Sequence, residues 1–166
     1  KDLDQALTLD PRFAVAYRAR ALVELYSGNT ARAINDLHKA VELEPNDSYS
    51  AMWLEIASRR DGKSGVIAES LPNLEMNEWP APLVKLMMGR TTAKAALEAA
   101  KNSNPKLDRE QRCEANFYIG VWESLNGSQE KAREPLAYAV ANCPHRFLEW
   151  APARWELRAL EDARQP

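Results

Sequence analysis

Histidine and cysteine are scarce in this chain of 166 residues, two of each, and the scarcity closes off several chemistries. Cys113 and Cys143 have no Cys-x-x-Cys spacing and no histidine beside them, so no zinc or other metal site is expected. His38 has Asp36 two residues away on a different helical face and no serine or cysteine nucleophile nearby; it reads as a solvated surface residue. His145 follows Pro144 at a helix start, where a polar loop residue is unremarkable. A glycine-rich phosphate loop, an HExxH motif and a paired-carboxylate motif are all missing. No catalytic residue, enzyme activity or cofactor is therefore expected. An excess of positive charge is missing too: 22 Lys and Arg face 24 Asp and Glu, for a net charge of −2. That gives no electrostatic basis for binding nucleic acid or an anionic membrane. No apolar run approaches the roughly 18 residues that span a bilayer, and Lys1-Asp2-Leu3-Asp4 is not a signal peptide.

What is present is an ordinary globular composition, 45% hydrophobic and 28% charged, with strong helical periodicity. The stretch Ala14–Asp47 holds one complete helix-turn-helix unit. Tyr17, Ala21, Leu22 or Val23, and Leu25 form an apolar stripe that breaks at Ser27-Gly28-Asn29. Ala33, Ile34, Leu37, Ala40, Val41 and Leu43 form a second, ended by Glu44-Pro45. Helices joined by so short a turn lie antiparallel and bury only part of their apolar surface, so they need neighbours. An echo supplies them: Leu3, Ala6, Leu7, Leu9 and Asp10-Pro11 repeat the second stripe 34 residues earlier, and Gly62 follows Gly28 by 34. Residues 1–10 thus read as the last helix of an earlier unit, in a chain whose preceding repeats lie outside it.

The remainder reads as a worn series within one domain, residues 1–166. Residues 48–74 form a degenerate repeat with Trp53, Leu54 and Ala57 on its first stripe and Val66, Ile67 and Leu71 on its second. Over 76–106 the period is lost and a shortened, irregular helix pair is expected. It is entered at Trp79-Pro80, closed by Gly89, resumed after a Thr91 or Thr92 cap, and followed by a loop at Asn102–Pro105. Residues 108–144 form a second clear repeat: Ala115, Tyr118, Ile119, Trp122 and Leu125, a turn at Asn126-Gly127-Ser128, then Ala132, Leu136, Ala139 and Val140. Pro135 predicts a kink or a late start in that second helix. Residues 145–163 form a capping helix with Phe147, Trp150, Ala151, Trp155, Leu157 and Leu160. Trp53, Trp122 and Trp155 are assigned to buried stripes.

A period of 34 residues carrying Tyr17, Ala21, Gly28, Ala33, Leu37, Ala40 and Pro45 resembles the tetratricopeptide repeat (TPR). Arg20 departs from it, since that position usually holds a large aliphatic residue. The resemblance implies an all-α fold, a right-handed superhelical solenoid of antiparallel helix pairs with a C-terminal capping helix. The order of regular, degenerate and shortened units, together with Glu114, Asn116-Phe117-Tyr118-Ile119-Gly120, Leu125, Ala139-Val140-Ala141-Asn142 and the Phe147–Leu160 segment, is similar to the C-terminal part of NlpI-type bacterial TPR lipoproteins. That likeness implies a periplasmic or cell-envelope scaffold that brings peptidoglycan hydrolases and proteases together. A cytoplasmic location stays open, and any membrane attachment is expected only through a lipid anchor outside this chain.

In stacked repeats the first helix of each pair lines a concave wall. Helical phase places Arg18, Leu22 and Tyr26, then Met52, Ile56, Arg59 and Arg60, then Phe117, Val121 and Ser124 on that wall. Apolar surface with a few arginines suits a protein or peptide carrying acidic groups. Cys113 and Cys143 open the first and close the second helix of one antiparallel pair, so they are read either as two free thiols or as a bridge across one end of the hairpin. The expected function is a non-catalytic interaction scaffold. Two alternatives stand beside it: self-association, including a homodimer, through the open first helix, and a regulatory segment of a larger enzyme.

Overall fold

In the computed structural model, which describes residues 2–163, the described residues form helices and no strand. The helices are α1 (Asp2–Leu9), α2 (Ala14–Tyr26), α3 (Thr30–Leu43), α4 (Ser48–Arg60), α5 (Ile67–Ser70), α6 (Ala81–Met87), α7 (Ala93–Ala99), α8 (Pro105–Leu125), α9 (Gln129–Asn142) and α10 (Trp150–Asp162). They divide into two compact units, residues 1–75 and 76–166.

In the first unit α2 and α3 form the main hairpin. Gly28 sits at φ +85°, the left-handed region open to glycine at little cost. From there the Asn29 N–H reaches the Glu24 carbonyl at 2.8 Å and the Gly28 N–H reaches Leu25 at 3.2 Å. These two bonds satisfy carbonyls that a helix end otherwise leaves without partners. Asp47 caps α4 by accepting from the Tyr49 and Ser50 N–H groups at 3.1 and 3.2 Å. Ten of the thirteen residues of α4 are buried, Met52, Trp53 and Ile56 completely, so this helix forms the centre of the core. The expected second helix of residues 48–74 is cut short. After α5 the chain tightens into a 3-10 turn at Leu71–Asn73, and Pro72, lacking an N–H, suits its first turn.

The second unit is built on the α8–α9 hairpin, closed by the same arrangement: Gly127 at φ +78°, Ser128 N–H to Glu123 at 2.9 Å and Gly127 N–H to Ser124 at 3.0 Å. Gly120 lies against Leu136, close enough that the two helices need a residue without a β-carbon there. Phe117 and Tyr118 fill the interior edge to face at 5.1 Å. Thr92 caps α7 through the Ala95 N–H at 3.1 Å.

Four expectations are corrected. The second hairpin starts at Pro105, not 108, because Asn104 is an N-cap, accepting from the Lys106 N–H at 2.9 Å, and Pro105 takes the first helical position. Pro135 lies inside α9 without delaying its start. The last helix begins at Trp150, not 145, after a turn closed by Phe147 N–H to Pro144 at 2.9 Å. Its buried stripe is Pro152, Ala153, Glu156 and Leu160, so Trp155, about 100° of helical rotation away from Glu156, is 55% exposed.

Candidate functional site

Of the ten residues assigned to a recognition wall, five lie in the interior. Leu22, Met52, Ile56, Phe117 and Val121 are all buried, which corrects their assignment. A repeat helix leaves a face free only if the neighbouring elements do not close over it; the stretches of α4 from Ser50 to Ser58 and of α8 from Ala115 to Val121 are enclosed.

Of the other five, four belong to the first unit and reach its surface to different degrees. Arg18 is half-buried and paired with Asp47, with Ser50 Oγ at 3.4 Å. Because Asp47 is also the cap of α4, Arg18 ties α2 to the start of α4, and its charge is already engaged. Tyr26 stands edge-on to Trp53 at 6.4 Å between ring centroids, and the Arg60 guanidinium lies 5.1 Å over the Tyr26 ring. Arg59 is half-buried and Arg60 exposed. Tyr26, Arg59 and Arg60 therefore form an arginine–aromatic surface at the C-terminal ends of α2 and α4. Ser124, in the second unit, is half-buried.

Two polar constructions were not legible as such in the sequence. Arg20, the misfit to the repeat pattern, donates to both carboxylate oxygens of the buried Asp36 at 2.7 Å each and to Asp4 at 2.8 Å. One guanidinium thus joins α1, α2 and α3. The bonds to Asp36 are the main cause that pushes the Arg20 pKa up, and the bond from Arg20 holds the Asp4 carboxyl below its ordinary value. The opposite charge at Asp36, sixteen residues on in the facing helix, was the available signal. Glu55, only 2% exposed, accepts from the Gly65 and Ile67 N–H groups at 3.0 Å each. It serves as the anchor of the loop that leads into α5.

In the second unit the sulfurs of Cys113 and Cys143 are bonded, with their Cα atoms 5.1 Å apart. The bridge pins the open end of the α8–α9 hairpin. His145 stacks on Trp150 at 4.1 Å, and Trp150 donates to the Val140 carbonyl at 3.2 Å. Trp79 donates to Glu114 at 2.6 Å. Among the described residues no group of three or more His, Cys, Asp or Glu side chains is arranged to hold a metal ion, and no helix is long and apolar enough to cross a membrane.

No family model matches the chain.

Proposed function

We propose that this protein is a TPR-like interaction scaffold that binds a protein or peptide partner. One observation carries the reading: α2, α4, α6 and α8 all end in the same glycine-centred turn. Gly62 and Gly89 repeat the bonding of Gly28 and Gly127, with Lys63 N–H to Ser58 and Arg90 N–H to Lys85 each at 2.8 Å. Each turn leads into a following helix, so the described residues form a series of helix pairs, and the turn persists at Gly89 where the 34-residue period is lost. Helix pairs of this kind are the building block of helical-repeat scaffolds, whose extended surfaces serve recognition. The bridge between Cys113 and Cys143 supports an oxidising compartment, in keeping with the cell-envelope setting that the lipoprotein resemblance implies, where the partners would be hydrolases or proteases.

The recognition residues in this reading are Tyr26, Arg59 and Arg60; Arg18, engaged by Asp47 at the start of α4, is not among them. The experiment is capture of partners from the parent cell envelope by the intact chain and by a variant with alanine at Tyr26, Arg59 and Arg60, after circular dichroism has established equal helicity. Loss of the captured partners is expected; an unchanged set overturns this assignment.

A second reading, self-association, is favoured by the exposed apolar residues Leu9, Phe13, Val15 and Val23 of the first unit, exposed at 87%, 45%, 40% and 60%. Sedimentation equilibrium decides it: a monomer at all concentrations excludes it.

A further inference from the structure

Trp155 is a large aromatic residue that the fold does not use. Helix α10 docks through Pro152, Ala153, Glu156 and Leu160, and the indole of Trp155 faces outward, 55% exposed. Arg154 and Arg158 flank it, one turn apart on the same face. Neither guanidinium makes an ion pair among the described residues, and both are exposed. With Val140 of α9, these side chains border an open groove of about 320 Å³.

The groove is held in shape before anything enters it. Arg154 lies 5.0 Å over the Trp150 ring, His145 stacks on Trp150 at 4.1 Å, and the Trp150 indole N–H is anchored on the Val140 carbonyl. Such preorganisation lowers the ordering cost of binding. Among the described residues the one carboxylate lining the groove is Glu161, one turn beyond Arg158 toward the C-terminal end of α10, and it leaves the Arg154–Arg158 stretch with a local excess of positive charge.

We propose that the face of α10 bearing Arg154, Trp155 and Arg158 docks an acidic, amphipathic segment of another protein. Carboxylates one helical turn apart would meet the two guanidiniums, whose planar forks suit carboxylate oxygens. An apolar side chain between them would lie in the groove beside the indole. Tryptophan and arginine are the residue types that dominate binding energy at protein interfaces. Charge decides the partner class: two guanidiniums that make no ion pair among the described residues, in a chain of net charge −2, select a locally acidic peptide and make too small a patch to hold a nucleic acid backbone or an anionic bilayer. This site goes beyond the reading above, since it uses none of Tyr26, Arg59 and Arg60.

The test uses the intact chain and a labelled synthetic peptide of about three helical turns with glutamates four residues apart and leucine between them. A control peptide has lysine in place of glutamate. Fluorescence anisotropy is expected to give saturable binding of the acidic peptide, weakened by added salt, and none of the lysine peptide. Arg154→Glu and Arg158→Glu each weaken it about fivefold or more, and Trp155→Ala about tenfold or more, with the circular dichroism spectrum unchanged in all three. The proposal is overturned by failure of the acidic peptide to bind up to about 1 mM, by equal binding of the lysine peptide, or by binding that the three substitutions leave unaltered. It is also overturned if a single-stranded oligonucleotide or anionic vesicles compete for this face, or if Trp155→Ala abolishes a dimer, which would make a second copy the occupant. Because the variants lie outside the first unit, loss here with capture through Tyr26, Arg59 and Arg60 intact separates the two readings.

Discussion

Replacing Gly120 by alanine sets two effects of opposite sign against each other at the centre of the α8–α9 hairpin. Alanine is the better helix former, and in an open helix interior the change gains roughly 1 kcal/mol. Here a β-carbon would fall 2.5 Å from Leu136 Cγ, 2.9 Å from its Cδ2 and 3.2 Å from the Ala132 carbonyl oxygen. The nearest atom is a branch point, not a flexible tip, and Leu136 is completely buried, so the helices themselves have to separate. Overpacking of a dense core costs about 1–3 kcal/mol, and this geometry belongs at the upper end. The net expectation for Gly120→Ala is a loss of about 2 kcal/mol, with packing overriding propensity. Urea unfolding followed by tryptophan fluorescence measures it. Leu136→Ala alone leaves a cavity and costs about 2–5 kcal/mol. In the double variant the added methyl enters the space that the leucine vacated, so the double loss falls short of the sum of the two single losses by about 1–2 kcal/mol. A neutral or stabilising Gly120→Ala, or strict additivity in the double variant, refutes the reasoning and shows that Leu136 swings aside without cost.

Two further outcomes follow from buried constructions. Glu55→Gln keeps the size of the side chain but turns an amide donor toward one of the two N–H groups at Gly65 and Ile67, leaving a buried donor unmatched at about 1–3 kcal/mol; faster amide exchange at those two positions accompanies it, and unchanged exchange would disprove the anchor. Reduction of the Cys113–Cys143 bridge releases a loop of 30 residues, worth about 3.6 kcal/mol in the chain-entropy account, and lowers the urea midpoint of the oxidised protein accordingly; two reactive thiols in denatured, unreduced protein would remove the bridge altogether.

The parts of the fold legible in the sequence are those with a chemical marker. Gly28 and Gly127 mark helix ends because the turn bonding requires a left-handed backbone there, and the short turn then fixes an antiparallel pair. Spacing was the weaker guide. Gly89 closes α6 by the same bonding, yet lies 27 residues after Gly62, not 34, because Lys63–Val66 lead into an α5 of only four residues. A period measures the length of every element between two turns, so one shortened helix erases it while the turn itself persists. The start of the last helix was misplaced for a related reason. Residues 145–149 are polar and aromatic enough to continue a helix, but they close turns of their own, Phe147 N–H to the Pro144 carbonyl and Trp150 N–H to the Phe147 carbonyl.

The candidate recognition wall was less legible, because helical phase states which residues share a face and not whether another element covers it. Two departures from expectation, one in the sequence pattern and one in the structure, are better pointers. Arg20 occupies a position where an aliphatic residue was expected, and its charge is consumed by Asp36 and Asp4 within the same unit; a misfit with an opposite charge on the facing helix is part of the architecture. Trp155, which helical phase put on the buried stripe, lies off it in the structure; the core of α10 is complete without it and the arginines beside it make no ion pair among the described residues. An indole left in water forgoes the stabilisation that burial would give. A pattern-breaking residue whose chemistry is satisfied inside the chain explains the fold, whereas one whose chemistry is left unsatisfied points outward to a partner. On that criterion the face of α10 is better qualified for recognition than the five buried residues that helical phase selected.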